Sequence, residues 1–283
     1  MIAPASITAP RLKQPSRLGS FLGHHAVTAV ALLALTYLMA PIVMMIVLSF
    51  NRTEGRFDYV WRGFSLAAWR HPFAVDGLID ALKVSIAIAL VASLLATSIG
   101  TAMAYAMVRY RFIGRRALDL VLLLTISTPE VIMGSSLLNL FLDVKIPTGP
   151  LTLVLSHVMF DIAFVAIVVK SRLRTFDITL EQAAMDLGAR GWRTFRRVTL
   201  PIILPSVVTA GLLAFMLSLD DFIITMFVSG QTVTFPLFVW GTARIAMPPQ
   251  IYVVGTSTFV LLTSLLLGNF LFDQRRVRLR EKV

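Results

Sequence analysis

The chain has 283 residues, 57% of them hydrophobic and only 14% charged, with a mean hydropathy of +0.81. Soluble domains carry about a quarter charged residues, so this composition excludes a water-soluble globular protein and indicates a membrane-embedded one. There are no cysteines, which excludes disulfides and thiolate metal sites, and the net charge of +11 sits between apolar segments, where the positive-inside rule accounts for it without nucleic acid.

In chain order, residues 1–25 read as a polar N-terminal tail, with Pro4, Pro10 and Pro15 in its first part. A spanning helix needs about 20 mostly apolar residues. Six stretches qualify, at roughly 26–50, 79–108, 117–142, 151–170, 202–228 and 250–272. The first is too long for a signal peptide and lacks a small-residue cleavage site before a soluble body, so it reads as a span. Residues 51–77 form a long connection rich in aromatics, Trp61, Phe64, Trp69 and Phe73, which suits an interfacial belt or a contact surface for an external protein. Asn51-Arg52-Thr53 matches a glycosylation sequon, a pattern short enough to arise by chance. Residues 229–249 are punctuated by Gly230, Pro236, Gly241, Pro248 and Pro249 and predict a short helix at the outer face. Residues 273–283 form a basic C-terminal tail.

Charge fixes the orientation. Arg11, Lys13 and Arg17 lie in the N-terminal tail, and Arg109, Arg111, Arg115 and Arg116 follow the second stretch. Lys170, Arg172, Arg174, Arg190, Arg193, Arg196 and Arg197 follow the fourth, and Arg275, Arg276, Arg278, Arg280 and Lys282 end the chain. The intervening loops are poorer, with Lys145 in one and Arg244 in another, and with Arg52, Arg56, Arg62 and Arg70 diluted by Glu54, Asp58 and Asp76 in the first. Both termini and the 171–201 loop are therefore expected in the cytoplasm.

Chemistry-bearing motifs are missing. No Gly-Lys dipeptide occurs, so a GxxxxGK[ST] nucleotide loop is impossible, and HExxH, GxSxG and GxGxxG are absent. Only His157 of the four histidines lies inside a stretch. If ATP drives this protein, another chain binds it.

The loop at 175–201 carries the most specific pattern. Thr179 to Arg190 has helical character with Asp177 or Thr179 as a start cap, Gly188 is a natural turn, and Gly191 opens a second element at Trp192 to Val198. Pro201 suits the first turn of the fifth span, where a missing N–H costs nothing. The spacing closely resembles the EAA loop of permease subunits of binding-protein-dependent ABC importers: Glu-Ala-Ala, three residues, Gly, nine residues, an aliphatic, one residue, Leu-Pro. Ala183, Ala184, Gly188, Val198, Leu200 and Pro201 fall in register. Gln182 stands where that family has glutamate, with Glu181 just before it. The resemblance implies coupling helices that seat in a groove of a cytoplasmic ATPase, with Glu181, Gln182, Ala183, Ala184, Gly188, Leu200 and Pro201 as the coupling residues and docking resting on Ala183, Ala184 and Gly188. It implies an all-α, six-span membrane protein with the type I importer permease fold, in the bacterial cytoplasmic (inner) membrane. It also implies a second, homologous permease, two copies of the ATPase and an external solute-binding protein as partners. Such a subunit performs no bond chemistry and binds no cofactor.

Beyond the first turn of each apolar stretch, four carboxylates lie within them: Glu130, Asp161, Asp220 and Asp221. Each costs roughly 2.5–3.5 kcal/mol at mid-bilayer, so each is expected to face the protein interior or a wet cavity. Spacing from the span ends places Glu130 and Asp161 near mid-depth and the Asp pair toward the outer half. Ser218, Asp221 and Thr225 share one face of a continuous helix, which makes Asp221 the better candidate to line a path. His157 and Asp161, four apart, are expected to satisfy each other. Acids with almost no bases inside the spans suggest a cationic solute.

The segments SLDDFIITMFVSG, TPEVIMG and RLRTFDITLEQAAMDLGA resemble the second permease subunit of spermidine/putrescine importers along nearly the whole chain. That resemblance associates Ser218, Asp220, Asp221 and Glu130 with polyamine passage. Relatives with this signature also carry other solutes, so an amino-acid derivative, thiamine, an opine-like solute or a ferric ion stays open as cargo. An ion-coupled carrier or channel is the alternative of a different class, and an integral-membrane enzyme the weakest.

Overall fold

The computed structural model describes residues 17–52 and 60–280, with side chains described from Ala26 to Arg52 and from Val60 to Leu271. The tail prolines, Glu54, Arg56, Asp58 and Lys282 lie outside these residues. Among the described residues the regular secondary structure is helical, with isolated bridge residues such as the Asn51–Phe64 pair. Five helices are long and apolar enough to cross a membrane, or six if a bent pair counts as one span.

Helix α1 (Arg17–Leu48) begins before the expected tail boundary and carries Pro41 in its interior. Between Val27 and Val47 most of its apolar side chains point outward, as suits lipid rather than water. It reaches the C-terminal helix where Met45 Sδ comes within 3.0 Å of the Cβ position of Gly255. The connection that follows is anchored by Phe50, which stacks on Phe64 and on Trp69 of the short α2 (Ala67–Arg70). Asn51, the sequon residue, is buried and serves the turn: its Nδ2 donates to Val60 O and its Oδ1 accepts from Arg62 N–H, both at 2.8 Å.

Helix α3 (Leu78–Arg109) is the centre of the protein. Ala89, Ala92, Ala96, Gly100 and Ala104 recur every three or four residues and are buried. Small side chains at that spacing let helices approach closely where lipid supplies no hydrophobic drive. At Gly100 a Cβ would fall 2.8 Å from Val165 and 3.1 Å from Ile162 O. Those residues belong to α6 (Pro150–Arg174), and α9 (Leu200–Asp220) completes the central trio, with Gly211 against Thr97. Val165, Val169, Leu173, Ile203, Ala210 and Ala214 fill the space among them.

The third apolar stretch departs from expectation in its shape. It is not one continuous helix but two, α4 (Arg115–Ser127) and α5 (Glu130–Asp143), bent by 110°. Pro129 supplies the reason: it has no N–H to continue a helix, and Thr128 before it is extended at φ −75° and ψ 130°. Glu130 therefore stands at the first turn of α5, beside the bend, rather than inside a continuous helix. Helix α4 packs Leu122 against Met107, Ala163 and Ala166, and Asp119 pairs with Lys170 of α6.

The fifth stretch is also broken. α9 stops at Asp220, Asp221 is extended at ψ 119°, and α10 (Ile223–Val228) resumes. Helix α11 (Phe235–Ala243) is the short element expected between Gly230 and Pro249. Helix α12 (Pro249–Arg280) runs through the expected boundary at residue 272 into the basic tail.

Contacts order the crossings. Ser85 near the start of α3 accepts the Phe235 N–H at 2.8 Å, and Thr152 near the start of α6 lies 2.8 Å from Val228 O. The starts of α3, α6 and α12 therefore share one end with the last turns of α1 and α9. The 175–201 loop occupies the other end. α1 and α12 are 32 residues each, about 48 Å at the helical rise, so both described termini lie toward the loop end.

Candidate functional site: an acid cluster at two helix breaks and a seated basic loop

The His157 side chain gathers the first site. It projects from α6 about two turns below the Gly149 start, and is buried. Its Nδ1 lies 2.6 Å from Ser218 Oγ on α9, and its Nε2 lies 3.0 Å from Thr225 Oγ1 on α10. The Nε2 is also 3.4 Å from Asp221 Oδ2. Hydroxyls donate or accept, so either imidazole tautomer is satisfied here. Asp221 Oδ2 in turn accepts the Thr225 N–H at 2.7 Å and so caps α10.

Ser218, Asp221 and Thr225 do converge, as the sequence suggests. The reason differs: they flank a break in the chain and meet on an imidazole from another helix. The expected pairing of His157 with Asp161 is overturned. Asp161 lies one turn further along α6, fully buried, and neither carboxylate oxygen has a hydrogen-bond partner among the described residues. The hydroxyls of Ser218 and Thr225 and the Asp221 carboxylate take the imidazole nitrogens instead.

The remaining acids are near. Asp161 is within electrostatic reach of Asp221, and Glu130 is within reach of both Asp221 and Asp220. The approach of α5 to α10 creates this proximity, since a Cβ on Gly134 would meet Phe227 at 2.7 Å. Glu130 and Asp220 are exposed on this chain, Asp221 is largely enclosed and Asp161 is sealed. Two helix breaks thus present two accessible carboxylates beside two enclosed ones. Among the described residues, no group of His, Asp and Glu has metal-binding geometry.

The second site is the loop at 175–201. Asp177 Oδ1 accepts from both the N–H and the hydroxyl of Thr179, at 3.0 and 2.8 Å, which opens α7 (Thr179–Asp186) as the sequence predicts. These two donors hold the Asp177 carboxyl below its ordinary value of 3.8. Gly188 takes φ +84°, the left-handed turn for which glycine is suited. The chain then forms α8 (Gly191–Thr194) and a π-helical turn at Phe195–Thr199 that runs straight into α9. Pro201 consequently does not sit at a free helix start. It follows the π-turn inside a continuous helix, where the Leu200 N–H reaches back to Phe195 O.

Gln182, Ala183 and Gly188 are exposed, as are Met185, Leu187 and Trp192, with Ala184 half-buried. Glu181, grouped with them by position, faces the other way. It is buried, 2.9 Å from Arg109 Nε at the end of α3, and its Oε1 accepts the Thr199 hydroxyl at 2.7 Å. Sequence reasoning missed Arg109, Thr199 and the true partners of His157. Arg109 is indistinguishable in sequence from the arginines at 111, 115 and 116, and long-range partners leave no spacing signal.

Residues 96–279 match the family described as binding-protein-dependent transport system inner membrane component. The chain belongs to that family. It is therefore a multi-pass inner-membrane subunit of an ABC importer, and the ion-coupled carrier is not what this family describes. It is 38% identical over 80% of its length to the putrescine transport system permease protein PotI of Escherichia coli strain K12, covering 83% of that protein. It is 36% identical over 84% of its length to the spermidine/putrescine transport system permease protein PotC of Haemophilus influenzae, covering 93% of it. Among solved structures, a permease chain of a bacterial ABC transporter that imports the acidic polysaccharide alginate matches 92% of this chain and 99% of its own, with a TM-score of 0.63 and 14% identity. The inward-facing MetNI methionine transporter matches 71% of this chain and 94% of its own, with a TM-score of 0.56 and 18% identity. At these identities the likeness is one of fold.

Proposed function

We propose that this chain is one of two permeases of an ATP-driven polyamine importer, passing putrescine- or spermidine-like cations inward. Its complement is a homologous permease, two copies of a cytoplasmic ATPase and an external binding protein. The loop and both termini face the cytoplasm, on the arginine distribution of the sequence.

The observation that carries the cationic cargo is the grouping of Glu130, Asp220, Asp221 and Asp161 at the α4–α5 and α9–α10 breaks. Intramembrane acids are costly and are retained where they face a pathway. Broken helices are likewise tolerated where the irregular backbone is buried in protein or lines a cavity. Putrescine carries an ammonium at each end and spermidine a further one within its chain, so carboxylates spaced along a path hold them in turn. The two relatives reported above are named as polyamine permeases. The fold alone does not decide cargo charge, because a structural neighbour serves an acidic polysaccharide. We assign Glu130, Ser218, Asp220, Asp221 and Asp161 to the path, and Gln182, Ala183, Ala184, Gly188, Leu200 and Pro201 to ATPase coupling. The transmembrane unit is residues 26–272, with tails at 1–25 and 273–283.

The test is uptake of labelled putrescine and spermidine by proteoliposomes holding the complete complex. ATP-dependent accumulation of either, displaced by the other and not by thiamine or neutral amino acids, supports the reading. Uptake of a non-polyamine solute with neither polyamine competing would overturn the cargo.

A further inference from the structure

The inward face of the loop is built as carefully as its outward face. Glu181 bridges two elements: Arg109, the last residue of α3, and Thr199, the last residue of the π-turn before α9. The guanidinium of Arg109 is covered on another side by the Phe176 ring, 5.3 Å from its centroid. Phe195 of the π-turn packs on Tyr105 of α3 at 4.7 Å. The Glu181 and Arg109 side chains are 6% and 11% exposed, so their attraction is poorly screened by solvent. The Arg109 contact is a charge contact rather than an aligned hydrogen bond, and Arg109 Nη2 has no hydrogen-bond partner among the described residues.

We infer that Glu181 is a positioning residue that fastens the coupling loop to the transmembrane helices, not a contact for the ATPase. One carboxylate ties α7 to the end of α3 and to the root of α9. A displacement of α7 is therefore delivered to both helices together, and both carry the acid cluster at their far ends or pack against it. Without the tie, α7 is a short helix hinged at Thr175 and at Gly188, and it can follow the ATPase without moving the spans. The inference rests on the reading of residues 175–201 as the ATPase-coupling element.

The experiment uses the full complex in proteoliposomes and reads ATPase retention, ATP hydrolysis and solute uptake separately. Glu181→Gln and Arg109→Met are each expected to retain the ATPase and to hydrolyse ATP, while uptake per ATP falls roughly ten-fold, and the double variant is expected to be no worse than the weaker single. If the single variants assemble poorly, cysteines decide, because the chain has none of its own. Arg109→Cys with Glu181→Cys is expected to be uncoupled until a short bifunctional thiol reagent joins the pair, and then to recover uptake. Loss of the ATPase in Glu181→Gln with normal coupling in Arg109→Met would overturn the proposal, as would failure of the cross-link to restore uptake. Ala183→Arg separates the two levels: it is expected to shed the ATPase. If it does so while Glu181→Gln stays fully coupled, the tie alone is wrong. If it keeps a working ATPase, the docking reading falls and the tie with it.

Discussion

His157 Nδ1 sits 2.6 Å from Ser218 Oγ, so a side chain of α6 holds the last turn of α9 just before that helix breaks. The same ring reaches Thr225 beyond the break at 3.0 Å. One imidazole therefore fixes the relative placement of α9 and α10, and with it the direction in which Asp220 and Asp221 point.

Replacing His157 by Leu keeps bulk but leaves two buried hydroxyls without their partner. Unsatisfied buried groups cost about 1–3 kcal/mol each, so a lower melting temperature of the purified complex is expected, together with reduced uptake. His157→Gln keeps a donor and an acceptor and should recover part of both. A His157→Leu variant with unchanged melting and uptake would show that the ring does not organise the break.

Asp221→Asn separates charge from structure. Asparagine caps a helix about as well as aspartate, so the Thr225 N–H stays satisfied and stability is expected to hold. Uptake of a dication should nevertheless fall about ten-fold or more, since one unit charge is lost from an enclosed site. Asp221→Ala should add a stability loss of about 0.5–2 kcal/mol from the missing cap. Thermal melting and concentration-dependent uptake distinguish the two.

Asp177 gives the loop an acid limit. Its carboxylate is favoured in the folded loop by the Thr179 N–H and hydroxyl, which lower its pKa from 3.8. A depressed folded pKa means that the stabilisation is present above the unfolded value and is lost as pH falls through the folded one. Protection of the first α7 amides, relative to the intrinsic exchange rate at each pH, should therefore fall only below the ordinary carboxylate range. In Asp177→Ala the same amides should be less protected at neutral pH, with little further change in protection on acidification.

Two glycines make opposite predictions under the same substitution. Gly100→Ala places a Cβ 2.8 Å from Val165 and 3.1 Å from backbone Ile162 O, a position that cannot yield cheaply. Overpacking of this kind costs about 1–3 kcal/mol, so expression and melting temperature should drop. Gly268→Ala meets nothing within 4 Å in the middle of α12 and should gain about 0.5–1 kcal/mol from helix propensity. Parallel melts of the two variants check both signs.

What the sequence determined by itself is what depends on local composition and spacing. Six apolar stretches of spanning length, the positive loops between them, the α7 start at Asp177 and the Gly188 turn are written in neighbouring residues. So are the intramembrane acids, because their cost in lipid marks them without any partner being known. Tertiary structure decided what those residues face. Pro129 sits in a plausible apolar run, but only packing against α10 shows that the chain bends there by 110° and brings Glu130 to the Asp pair. The break after Asp220 and the meeting of Ser218, Asp221 and Thr225 on His157 are set by contacts across some sixty residues, as is the link from Arg109 to Glu181 across the intervening α4, α5 and α6. Helical periodicity specifies which residues share a face, but not which helix that face will meet. The small-residue approach of α3 to α6 and α9 makes that choice, and it leaves Glu181 inside the protein and Gln182 outside.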